Sequence, residues 1–250
     1  MKPMVIRATL LAGLIAAGCA PVADPFRIPA DEFRRRIKTI AVANVIVPSS
    51  LGVDAAARTN FHPAIEHRLR QAGFTVVSAQ QVGEIRAAKE SELGGLFDPQ
   101  TGKLDDAKAA TLMSFVRSEV KTRFGADALL LSRVRTVTAN FSYVPLAGVR
   151  ARWDGASESL ETGGFDKVVS PRGSGYIDAL SLAVNIEDLG GSSLYAKAGG
   201  IQVLFKLAPG AGQFGGNAFV PVPKAELLAD QERIQQAVSY ALAPFFKGER

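Results

Sequence analysis

The side chains that most often carry chemistry are scarce in these 250 residues: one cysteine, Cys19, and two histidines, His62 and His67. A lone cysteine can be a buried thiol, a nucleophile, half of an intermolecular disulfide or an attachment point. It cannot close a disulfide within the chain or build a thiolate metal site. The histidines are five residues apart, which on a helix separates them by roughly 140°, so they share no face on which to hold one metal ion. His62 opens an expected helix and His67 lies beside Glu66, so both read as surface residues. No GxSxG elbow accompanies them, and a serine hydrolase lacks its nucleophile signature. Gly210-Ala211-Gly212-Gln213-Phe214-Gly215 matches GxGxxG, but Pro221 and Pro223 follow where a dinucleotide-binding helix would have to start. Gly102-Lys103 lacks both the earlier glycine of a phosphate loop and the hydroxyl that would hold magnesium, since Leu104 stands there. The neighbouring carboxylates Asp105-Asp106 and Glu187-Asp188 point apart on a helix or strand and form no acid/base pair. Phe141, Tyr143 and Trp153 could form a recognition patch, and are read as core. No catalytic, cofactor-binding or metal-binding residue is assigned, no cofactor is expected, and the chain does not read as an enzyme.

The cysteine gains meaning from its surroundings. Lys2 and Arg7 precede an apolar run over residues 8–17, which is half of the roughly 20 residues a membrane-spanning helix needs. The run ends in the small residues Ala16, Ala17 and Gly18. The stretch Leu14-Ile15-Ala16-Ala17-Gly18-Cys19 resembles the lipobox of bacterial lipoproteins, with Ala16 where that motif most often has Leu. The resemblance implies cleavage before Cys19, a signal peptide over residues 1–18, and acylation, with palmitate among two or three chains, at Cys19. It also implies sorting to the outer membrane, facing the periplasm, because Ala20 rather than Asp follows. Several acyl chains hold a protein firmly, where one holds it marginally.

The elements that follow predict one α/β domain. Residues 19–36, with Pro21, Pro25 and Pro29, read as a lipidated tether reaching about 55 Å at roughly 3.3 Å per residue, with Arg34-Arg35-Arg36 as its solvated end. Residues 37–250 form the domain. A β-branched run over 37–47 predicts a strand, and Asn60 is placed to cap a helix bearing Phe61, Ile65 and Leu69 on one face, ended by Gly73. A strand follows over 74–78 and a helix over 79–92. Residues 94–103 (GGLFDPQTGK) form a turn-rich loop. Leu112, Val116, Val120 and Phe124 recur every four residues and predict a helix, after which 127–138 is a strand. Val149, Ala151 and Trp153 alternate with Arg150, Arg152 and Asp154, giving a half-buried strand, and residues 155–175 read as a polar loop. Leu180, Leu182, Val184 and Ile186 alternate with Ser181, Ala183, Asn185 and Glu187, and Ile201, Val203, Phe205 and Leu207 continue the period of two beyond a Gly/Ser turn. That pair predicts a β-hairpin. Residues 224–246 close the chain with a helix carrying Leu227, Ile234, Val238, Leu242 and Phe245. The expected fold is α/β (α+β): a single domain, its mixed sheet covered by helices, with the hairpin and the closing helix in the second half.

The helix ending LRQAGF, the strand FTVV and the later RFGADALLLSRV resemble a group of envelope proteins that includes the amino-terminal domain of TolB and the curli-secretion lipoprotein CsgG. Members of that group mostly act without catalysis, by binding partners or assembling. The resemblance therefore implies a non-catalytic accessory or assembly subunit, held to the membrane by the lipid on Cys19 and meeting an envelope protein partner. Its alternative is an oligomer of identical subunits forming a secretion pore, in which 141–153 and 176–207 insert or oligomerise. An enzyme built on scattered acidic residues ranks below both. Composition supports neither disorder nor nucleic-acid binding. Hydrophobic residues make up 47%, and the net charge of +5 falls to +3 without Lys2 and Arg7.

Overall fold

The computed structural model describes residues 24–53, 59–145, 147–161, 174–208, 210–211 and 218–246. Cys19, the stretches read as a lipobox and a signal peptide, and most of the GxGxxG stretch lie outside the described residues. The fold is mixed α/β, built on a seven-stranded curled sheet.

Two long strands form its spine. β3 (Ala128–Val144) and β6 (Ser174–Asp188) pair antiparallel from Ala128↔Asp188 to Ser142↔Ser174. β7 (Ser193–Val203) returns beside β6 as the expected hairpin. β1 (Thr39–Val42) lies parallel to the start of β3, with β2 (Thr75–Val77) beyond it. β4 (Gly148–Trp153) and β5 (Ala156–Ser159) pair with the far end of β3. β8 (Phe205–Ala208) and β9 (Ala218–Pro221) make a separate ribbon.

Helices cover the first half of this spine. α2 (Phe61–Gln71) and α5 (Gln231–Leu242) pack on the face presenting Leu130, Val134, Leu182 and Val184. α3 (Ala79–Glu92) and α4 (Asp106–Phe124) cover Ala41 and Leu129 on the other face. The helix starts follow from their sequence. Ser78 accepts from the N–H of Gln81, whose side chain returns to the Ser78 N–H in a capping box. Asp105 accepts from the N–H of Lys108, and Asp230 from those of Glu232 and Arg233. Gly125 ends α4 at φ 63°, a conformation that favours glycine. Asn60 has helical backbone angles itself and makes no side-chain cap.

Four expectations need correction. The segment read as tether is folded from Pro25 onward: α1 (Ala30–Arg36) buries Phe33 completely among Phe26, Phe74 and Phe245, at centroid distances of 5.2–6.1 Å. Arg34 is correspondingly not a solvated linker residue, because its guanidinium donates to the carbonyls of Ala72 and Phe245. The polar stretch 155–175 begins with a strand, since Asp154-Gly155 makes a two-residue hairpin turn into β5, with Asp154 at φ 36° and Gly155 at φ 76°. The closing helix starts at Gln231, not 224, because Asp230 caps it. Leu227 is buried ahead of the helix, in the core.

The far end of the spine is closed by the sheet itself. After Trp153, β4 crosses over the sheet face: Trp153 Nε1 donates to the Leu180 carbonyl at 3.0 Å, and the Gly200 N–H donates to the Asp154 carbonyl at 2.9 Å. This roll buries Ala139, Val149, Ala151, Leu160, Ile177 and Val203 in a core of their own. A bulge lets β7 serve both cores. Ser181 pairs with Gly200 but Leu180 with Gln202, so Ile201 is the extra residue and faces the helical core, while Val203 faces the rolled one. Gly199 and Gly200 are required by close approach: an added Cβ would lie 2.0 Å from the Ala237 carbonyl at Gly199 and 2.5 Å from the Ala156 Cβ at Gly200. The alternating apolar side of β6, Leu180, Leu182, Val184 and Ile186, which the pore alternative would expose, faces the helical core.

Candidate interaction site

Where the helical cover ends and the roll begins, one face of the spine lies open as a groove of about 660 Å³. Its floor is set by strand parity. Odd-numbered residues of β3 point to this face, so Leu129 and Leu131 are followed by Arg133 and Arg135. β6 contributes Ala183, Asn185 and Glu187, their cross-strand neighbours, and β7 adds Ala196 and Ala198. One wall is α3 and α4, through Val82, Gly83, Arg86, Met113 and Arg117. Asp154, on the hairpin turn, forms the opposite rim. Gly83 is a mid-helix glycine of the kind that costs about 1 kcal/mol relative to Ala. Its position has a reason, because a Cβ there would come within 3.0 Å of the Asn44 amide.

The groove is basic on an apolar ground. Arg86, Arg117, Arg133 and Arg135 line it, against Asp154 and Glu187. Both carboxylates are engaged. Glu187 accepts from Arg117 at 2.6 Å and from Asn185 at 2.8 Å. Asp154 accepts from the Ser181 hydroxyl at 2.6 Å, with the Arg135 guanidinium 3.9 Å away. Arg133 makes no ion pair among the described residues, and Lys197, whose burial lowers its pKa, stacks over the Tyr240 ring at 4.1 Å. Two buried polar atoms without a hydrogen-bond partner, Arg117 Nε and Ser132 Oγ, belong to residues lining the same groove. The surplus of guanidinium groups suits an anionic occupant with apolar neighbours.

The residues singled out from sequence are not gathered here. His67 is exposed, but His62 is half-buried and accepts the Val45 N–H at 3.3 Å, which corrects its reading as a surface residue. Burial lowers its pKa, against an opposing effect of Glu66. Trp153 is core as expected, Phe141 is partly buried against Phe219, and Tyr143 is 41% exposed. Asp105 caps α4. Lys103 lies in a turn organised by Asp98, whose carboxylate accepts the N–H groups of Gln100 and Thr101 at 2.8 and 2.7 Å. These bonds hold the Asp98 pKa low. Among the described residues no group of three or more metal-binding side chains occurs, and no helix is long and apolar enough to cross a membrane. The groove itself was missed by sequence reasoning. Its one local signal is the pair of arginines on alternate positions of an otherwise apolar strand, LLLSRVR.

A second charged cluster is structural. Glu158 accepts from Lys206 Nζ at 2.5 Å, Arg233 Nη1 at 2.6 Å and the Val203 N–H at 2.9 Å, tying β5 to β7, β8 and α5.

No family model and no curated protein matches the chain. Among solved structures, it is similar to the lipoprotein GNA1162 from Neisseria meningitidis at 16% identity, covering 66% of this chain and 79% of that one, with a TM-score of 0.30. It is also similar to the PelC dodecamer from Paraburkholderia phytofirmans at 10% identity, covering 84% and 88%, with a TM-score of 0.33.

Proposed function

We propose that this chain is a lipid-anchored protein of the bacterial envelope, facing the periplasm from the outer membrane, that works by binding a protein partner and not by catalysis. The observation that carries the reading is the groove at the junction of the two halves: concave, apolar on its floor and rimmed by unbalanced guanidinium groups. The anchor rests on the lipobox sequence before Cys19. Because the chain is folded onto the domain from Pro25, residues 19–24 span at most about 18 Å at roughly 3.5 Å per link. An acylated Cys19 would thus hold the domain close to the bilayer, unlike a tether three times longer.

Two measurements test the two parts. Cys19→Ser abolishes labelling by an acyl-chain probe and releases the protein from the membrane fraction; a variant that stays membrane-bound refutes the anchor. In-cell crosslinking of the native protein, followed by mass spectrometry, yields an envelope protein. Recovery of nothing above background removes the partner-binding reading.

A further inference from the structure

Strand β3 has two edges, and among the described residues only one is fully paired. β6 occupies one edge from Ala128 to Ser142. On the other edge β1 pairs with Ala128–Leu130, Ile46 extends that pairing to Arg133, and β4 pairs with β3 from Asn140 to Val144. Between Arg135 and Ala139 no described strand lies beside β3 on this edge. Neighbouring bonds set its parity: the Ile46 N–H donates to the Ser132 carbonyl at 2.9 Å, and the Val134 N–H to the Ile46 carbonyl at 2.8 Å. Even-numbered residues therefore turn their backbone groups outward here, and the N–H and C=O of Thr136 and Thr138 face the gap. β4 does not fill it, because Trp153 and Asp154 cross the sheet face instead of running on beside β3. Five residues make roughly 17 Å of edge, a feature that proteins usually cover or blunt.

The gap opens beside the groove. Side chains of a segment lying in it would alternate between the Thr136 and Thr138 side and the face carrying Arg133 and Arg135. Ile46, 56% exposed, stands at one end.

We propose that this gap is a strand-addition site. An extended acidic segment of a partner protein, about four to five residues long, pairs with the Thr136 and Thr138 backbone and sets carboxylates against Arg133 and Arg135. Main-chain bonds supply affinity and the arginines select for charge. The inference rests on the reading of the groove as a partner site.

The test uses the mature chain and a fluorescein-labelled octapeptide of alternating Glu and Val, followed by anisotropy. Saturable, salt-sensitive binding is expected. It weakens at least tenfold for the Lys-Val peptide and for the Arg133→Glu/Arg135→Glu double variant, whose thermal melt is compared with wild type to confirm folding. N-methylation of one alternate set of peptide amides abolishes binding, while methylation of the other set changes it less than twofold. Sensitivity at the Val nitrogens reports antiparallel addition, and at the Glu nitrogens parallel addition. Equal binding of the Lys-Val peptide, equal effects of the two methylations, or no binding overturns strand addition. If photocrosslinking at Ile46 still captures an envelope protein in that event, the groove reading stands without it.

Discussion

The two ends of the β3–β6 spine bury themselves by different means. At the helical end both faces are covered, and β3 reads as a near-continuous apolar run from Ala128 to Leu131. At the rolled end one face is covered by the curl of β4, β5 and β8, while Thr136, Thr138 and Tyr176 on the other face are exposed. A strand covered on both sides is apolar throughout, and one covered on a single side alternates. β3 changes from the first pattern to the second near Arg133. The groove lies at that change, and so does the stretch of β3 edge left unpaired among the described residues.

The largest loss is expected at the helical end. Phe33→Ala removes a fully buried ring from the aromatic cluster that fixes α1, and a loss of about 3–5 kcal/mol in chemical denaturation is expected. If the shared strands make the two ends one cooperative unit, the fluorescence of Trp153, in the rolled core, falls with far-UV circular dichroism in a single transition. Separate midpoints would show that the ends unfold independently. Gly199→Ala strikes the seam, where the new methyl meets the α5 backbone, and costs about 2–3 kcal/mol by the same measurement. Glu158→Gln loosens only the rolled end. It leaves Lys206 and Arg233 without their shared charge, and because both are partly exposed the loss is about 1–2 kcal/mol. His62 gives the smallest effect. Its pKa is lowered from 6.5 chiefly by burial, so as pH falls the unfolded chain takes up this proton first. The His62 contribution is complete above about pH 6.5 and declines below it. His62→Gln, which keeps an acceptor for the Val45 N–H, flattens that part of a stability–pH profile by under about 1 kcal/mol.

Much of the helical end was legible in sequence because its signals are local. Helix α3 has its cap at Ser78, α4 its stripe and its Gly125 stop, and β6 its period of two. The rest was hidden by contacts made far along the chain. Three prolines made 19–36 resemble a tether, yet Phe26 and Phe33 fold it down against Phe74, Tyr195 and Phe245. The crossing of β4 depends on Gly200, which meets Trp153 and Ala156, and the seat of α5 on Gly199, which meets Ala237; neither role appears until those distant elements are seen against them. Asp154-Gly155 is a hairpin signal in its own right and would have revealed β5. The groove draws on β3, β6, β7, α3, α4 and the 154–155 turn, so no local pattern announces it, and LLLSRVR offers only two exposed arginines on a buried strand.

The proposed binding face of the molecule is this junction. Its most direct test places a photocrosslinking amino acid at Ile46, beside the groove, and separately at Tyr176, 77% exposed on the outer face of β6. Irradiation of cells should give a discrete adduct from position 46 and none from 176. Adducts of equal yield from both positions, or from 176 alone, would contradict the claim.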